Sequence, residues 1–134
     1  MKQLSITFLL LSFFLTTCFN RISCDEVTDK NVIGFYYSMN AKNRNKQYLQ
    51  LIDDGTFINV YCDDKVTIRE LGTWERNGCE VYFNGMKCFN TPLWNTTREH
   101  SSSIYRWING VLFLGENDVS FKKTRRKPKL ICEK

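Results

Sequence analysis

The chain has little proline, a single histidine and no long apolar run, and each shortage removes a class of protein. Proline occurs only at Pro92 and Pro128, while Phe, Tyr and Trp make up 14% of the residues. That balance is globular, not disordered or low-complexity. With His100 as the one imidazole and no C-x-x-C pair, the ligand spacing of a structural zinc site is missing. No serine or cysteine stands in a recognisable nucleophile context beside His100, so the chain reads as non-enzymatic and no cofactor is implied. The paired carboxylates Asp53-Asp54 and Asp63-Asp64 lack the D-x-D-x-D-G spacing of a calcium loop and fall where turns are predicted. Neither an internal repeat nor a 3.6-residue hydrophobic period is present.

What is there begins with an export signal. Lys2 supplies a positive start, and the run from Leu4 to Leu15 is the apolar stretch, too short for a membrane span of roughly 20 residues. Leu15-Thr16-Thr17-Cys18 closes it with small residues before a cysteine, which makes Cys18 the candidate lipid-attachment residue. Residues 1–17 are then a signal peptide, 18–30 a polar tether, 31–124 the domain and 125–134 a basic tail. The expected location is the cell envelope, lipid-anchored at the outer membrane or periplasm, with free secretion as the alternative.

In an oxidising compartment disulfides are the default state of cysteines. Processing at Cys18 leaves Cys24 in the tether as the odd one out, whereas cleavage after Cys24 leaves only Cys62, Cys79, Cys88 and Cys132. These four are the disulfide candidates on either route, and they allow three connectivities. Cys79 and Cys88 flank the Asn84-Gly85 turn closely enough to face each other across a hairpin, which favours that pair. Cys62 would then join Cys132 and pin the basic tail to the body.

Charge is unevenly placed. The last thirteen residues carry seven basic side chains against one acidic, and residues 18–121 carry eleven against thirteen. For an exported protein the polyanions within reach are phospholipid headgroups, lipopolysaccharide and cell-wall polymers, not nucleic acid. The residues for such contact are Lys122, Lys123, Arg125, Arg126, Lys127 and Lys129, although a run of this kind also serves simply as a solvated terminus.

Short runs rich in branched and aromatic residues alternate with turn signals. They are Val32 to Tyr37, Lys46 to Ile52, Thr56 to Tyr61, Val66 to Arg76, Cys79 to Phe83, Met86 to Phe89, Ile104 to Ile108, Val111 to Leu114 and Val119 to Lys123. Asp54-Gly55, Asn77-Gly78, Asn84-Gly85 and Asn109-Gly110 offer the positive φ angles that tight hairpin loops need. The reading is all-β: a small antiparallel meander of about 8 strands closed into a lipocalin-like barrel or half-barrel, because closure removes exposed edges. The long loop 90–103, with Trp94, His100 and an Asn95-Thr96-Thr97 glycosylation triplet, is where function would preferentially sit. Trp94 and Trp107 are candidate ligand-binding residues, able to stack on a sugar or line an apolar cavity, and they serve equally as packing.

The pattern Leu49-x-Leu51-x-x-Asp54-Gly55-Thr56-Phe57, followed by Leu71-Gly72-Thr73-Trp74, resembles small uncharacterised bacterial lipoproteins with lipocalin-like barrels, over roughly residues 32 to 124. The resemblance implies that Phe57 and Trp74 pack the core and that Gly72 permits a close approach. It implies fold and location more than activity. The functional expectation is a non-enzymatic, lipid-anchored binding module, with an apolar small ligand or a protein as possible partner. The alternative is a secreted, disulfide-stabilised inhibitor or effector acting through loop 90–103. A packed barrel interior favours surface interaction, and an open one of a few hundred Å³ favours a carrier.

Overall fold

A computed structural model describes residues 22–40, 43–63, 66–86, 102–113 and 120–133. Eight strands follow one another: β1 (Gly34–Ser38), β2 (Gln47–Leu51), β3 (Thr56–Asp63), β4 (Val66–Asn77), β5 (Glu80–Asn84), β6 (Ser102–Ile108), β7 (Val111–Phe113) and β8 (Ser120–Thr124). Each pairs antiparallel with its sequence neighbours, and β1 returns to β8 with Phe35 opposite Thr124 and Ser38 opposite Phe121. The result is a closed up-and-down barrel, which leaves no unpaired sheet edge to recruit another chain.

Alternation builds the core. Tyr36, Leu49, Leu51, Phe57, Val81, Phe83, Tyr105, Leu112 and Phe121 point inward and are buried. Their aromatic rings form a continuous line, edge to face from Phe57 to Phe83 and Phe83 to Tyr105 at 5.3 Å, then tilted from Tyr105 to Phe121 at 6.1 Å. Such pairs each add about 0.5–1.5 kcal/mol beyond their buried area. Gly72 lies directly opposite Phe57 in the register, and a Cβ there would sit 2.5 Å from the Phe57 ring and 2.2 Å from the Asn84 carbonyl. Only glycine leaves that ring its place.

Three of the four expected turns close hairpins. At one two-residue loop, Asn109 and Gly110 both take positive φ (47° and 85°), the conformation that joins β6 to β7. Asn84-Gly85 does otherwise. Gly85 has positive φ, but the strand that pairs with β5 on its far side is β6, with Asn84 opposite Ser102, and the run Met86 to Phe89 lies outside the described residues beyond Met86. Met86 is buried, and eight strands are present among the described residues.

The segment read as a tether is folded from Cys24 onward. A 3₁₀ turn (Cys24–Glu26) and a short helix α1 (Asp29–Val32) lie across one end of the barrel and insert Val27 and Val32 into the core. Ser23 and Thr28 begin them as capping boxes: the Thr28 amide donates to Asn31 Oδ1 at 2.7 Å and the Ser23 amide to Glu26 Oε2 at 3.3 Å. Arg76 Nε donates to Asp29 Oδ1 at 2.7 Å, and the Tyr36 hydroxyl donates to the Val32 carbonyl.

Cys24 bonds to Cys79 with Cα atoms 4.9 Å apart, so Cys79 is not the partner of Cys88, and Cys24 is not the odd cysteine. Proximity across the end of the barrel decides the pairing: the 3₁₀ turn lies against the Asn77-Gly78 hairpin, where a Cβ on Gly78 would lie 3.6 Å from the Cys24 carbonyl. Cys88 lies outside the described residues. Cys62 bonds to Cys132, as expected.

The two ends of the barrel differ. The capped end is apolar, with Trp74 Nε1 donating to the Ile52 carbonyl at 2.9 Å. Burial pushes the Tyr36 hydroxyl well above the usual phenol range; the Trp107 indole approaches it and offsets part of that rise without closing a hydrogen bond of acceptable geometry. At the other end the buried inward residues are polar: Ser38, Gln47, Asn59 and Glu70. Gln47 Nε2 donates to Asn59 Oδ1 at 3.2 Å, and Asn59 Nδ2 to Glu70 Oε2 at 3.3 Å.

Candidate functional site

Beyond β8 the chain turns back and lies along the outer face of β1, β2 and β3 as a strap. Three devices hold it. Leu130 is buried against Tyr48, Val60 and Cys62, a small second core that uses the outward faces of strands whose inward faces line the barrel. The Ile131 amide donates to the Asn45 carbonyl at 2.9 Å. The Cys62–Cys132 disulfide then fixes the end, with Cα atoms 6.0 Å apart. This second core explains why Tyr48, on the outward face of β2, is nevertheless buried.

Between strap and wall lies an open groove of about 360 Å³. Tyr37 of β1 forms its floor, Arg44 and Asn45 come from the β1–β2 connection, and Thr124 with residues 126–129 comes from the strap. Four cations, Arg44, Arg126, Lys127 and Lys129, share this groove, and no carboxylate lines it. Two are positioned by ring faces: the Arg44 guanidinium lies 5.7 Å from the Tyr37 centroid and Lys127 Nζ 5.2 Å from that of Tyr48. Lys127 also pairs with Glu133 at 2.6 Å. That bond raises the lysine above its ordinary range and lowers the carboxyl below its own, two directions that agree.

The six expected tail cations therefore divide. Arg125, Arg126, Lys127 and Lys129 are exposed on the strap, and Lys122 is exposed on the barrel wall. Lys123 is turned the other way. It shares the inward face of β8 with Phe121 and donates to the Asn31 carbonyl at 2.5 Å and the Lys30 carbonyl at 3.4 Å. Partial burial holds its ammonium below the usual lysine range. It satisfies the carbonyl end of α1 and is not available to an external anion.

Local sequence alone does not single out Arg44. The signal for it, the basic run Lys42-x-Arg44-x-Lys46, is present, but only the strap's return path brings it beside the tail. Trp107 is buried in the main core beneath α1, where packing accounts for it. Cys18, Cys88, Trp94, the Asn95 triplet and His100 lie outside the described residues, as does the loop 90–103 apart from its last two positions. Among the described residues no group of three or more His, Cys, Asp or Glu side chains is placed to hold a metal ion. No protein-family model, curated protein or solved structure matches the chain.

Proposed function

We propose that this is an exported, lipid-anchored cell-envelope protein that works without catalysis, as a binding module for an anionic partner, and that it binds through its outer wall and not through its barrel interior. One observation carries the reading: the interior is occupied by the Phe57–Phe83–Tyr105–Phe121 ring line, while four cations converge on the outside groove under a covalently fixed strap. Two disulfides fit an oxidising environment, in keeping with export. The leader and its Cys18 favour attachment by acyl chains, and the resemblance to small bacterial lipoproteins points the same way.

Binding of this kind depends on salt, because exposed cations near an anionic surface contribute about 1 kcal/mol each and lose it as the Debye length shrinks. The mature protein is expected to co-sediment with phosphatidylglycerol vesicles at low ionic strength, to release at high salt, and to ignore phosphatidylcholine vesicles. Equal binding to both vesicle types would end the electrostatic reading. The anchor is tested separately, by intact mass of the membrane fraction, where a mature chain starting beyond Cys24 without lipid mass would remove it.

A further inference from the structure

We propose that the groove beneath the strap is a discrete site for a phosphate or sulfate ester on a small polyhydroxylated molecule, such as a sugar phosphate or sugar sulfate. The proposal rests on the reading of the strap as an anion-binding surface and narrows it to one pocket and one ligand chemistry.

The arrangement of charge is the first argument. Arg44, Arg126, Lys127 and Lys129 face one groove in a body that is otherwise mildly acidic. Arg126 makes no ion pair or hydrogen bond among the described residues, and Glu133 answers Lys127 alone by direct contact. Like charges gathered in this way repel each other and oppose folding, so their concentration is a standing cost that a bound oxyanion would relieve.

Preorganisation is the second. The strap is held by a disulfide, a buried leucine and a backbone hydrogen bond, and two of the four cations rest on tyrosine rings. A site whose charges are already in place spends little of its binding energy on ordering them. Arginine's planar fork suits the paired oxygens of a phosphate or sulfate ester, and two of the four cations are arginines.

Size and polarity give the third. About 360 Å³ lies at the small end of the range for small-molecule pockets, roughly 300–1,000 Å³, and the groove is open to solvent on one side. Asn45 and Thr124 add neutral hydrogen-bonding groups to the lining, which suit hydroxyls beside the ester.

Calorimetric titration of the whole mature chain with glucose 6-phosphate, glucose 6-sulfate and unmodified glucose tests the site. Either ester or both should bind and glucose should not; the stronger of the two identifies the ester. Arg126→Gln on the strap and Arg44→Gln on the β1–β2 connection should each weaken binding by roughly tenfold or more, as loss of a charge-assisted hydrogen bond does. Arg106→Gln, an exposed cation on β6 that does not line the groove, should leave it unchanged. Because the two arginines belong to different segments, a variant with an altered melting transition is set aside and the other decides. Absence of heat with both esters, or equal weakening by Arg106→Gln and Arg126→Gln, overturns the site. If neither ester binds while anionic vesicles are still bound, the groove fails and the surface reading stands; if vesicle binding is also absent, both fail.

Discussion

The N-terminal and C-terminal segments are each fastened to the barrel by one disulfide, yet they do opposite things with their charge and their apolar side chains. The N-terminal segment closes an end. It feeds Val27 and Val32 into the main core, and the lysine nearest it, Lys123, turns inward to the carbonyls of α1. The C-terminal segment closes nothing. It buries Leu130 over a separate small core on the outer wall and leaves Arg125, Arg126, Lys127 and Lys129 exposed. The same covalent device completes the fold at one place and presents a surface at the other.

Removing each disulfide should separate the two roles most sharply. The bridges span 55 and 70 residues. Chain entropy alone assigns both a similar value, about 4 kcal/mol, so any difference must come from what undocks. The Cys24→Ser/Cys79→Ser variant exposes the apolar end of the main core and should lose near the upper part of the usual range, about 5 kcal/mol, together with the near-ultraviolet signal of Trp107. The Cys62→Ser/Cys132→Ser variant should lose nearer 2–3 kcal/mol and keep that signal. Chemical denaturation with near-ultraviolet circular dichroism measures both. Equal losses, with equal loss of the tryptophan signal, would mean that the strap is as much part of the core as the N-terminal plug formed by the 3₁₀ turn and α1.

A single side chain gives a finer test. Leu130 is the one apolar residue of the strap that is fully buried, and its cluster lies on the outer wall, where neighbours relax easily. Leu130→Ala should cost about 2 kcal/mol, the low end for such truncations. The loss should be local: the Ile131 amide, which donates to the Asn45 carbonyl, should exchange faster while barrel amides keep their protection. Uniform loss of protection would place the strap in the global folding unit.

The asymmetry was only half legible in the residues. Turn chemistry and two-residue alternation are local, and they carried the all-β barrel as far as eight strands, with Asn109-Gly110 and the Asp54 turn where expected. Alternation even places Lys123 on the face of Phe121, so its inward direction was readable in principle. Pairing is not local. Asn84-Gly85 has the turn's φ angle, but the strand that pairs with β5 on its far side is β6. The plug was hidden for a related reason: Ser23-x-x-Glu26 and Thr28-x-x-Asn31 are helix-start spacings, but the elements they begin are one turn long and show no periodicity. Cys24 therefore looked unanchored, and its bond to Cys79 follows only once that turn is laid against the Asn77-Gly78 hairpin. Arg44 joins the groove on the same terms, through the return path of the strap.

The smallest expected effect is also the most selective. Glu133 pairs with Lys127, and both are largely exposed, so the pair contributes little to global stability. Its carboxyl is held below the ordinary range by the Lys127 ammonium and by the Leu130 amide. A group whose pKa is lowered by folding stabilises the folded form above its unfolded value and loses that contribution as pH falls through the folded one. Acidification from the unfolded value of 4.5 downward should therefore loosen the tip of the strap while the disulfide and Leu130 hold the rest. Nuclear magnetic resonance of the Leu130 amide should follow this titration with no change in barrel amides, and Glu133→Gln should abolish it. The same substitution takes away the carboxylate that occupies Lys127 and should raise oxyanion affinity in the groove by a few-fold. At the N-terminal segment the inward lysine behaves differently, since Lys123 answers backbone carbonyls that do not titrate. A Leu130 titration that survives in Glu133→Gln would mean that another carboxyl governs the strap, and the contrast between a fixed end and a tunable surface would have to be drawn elsewhere.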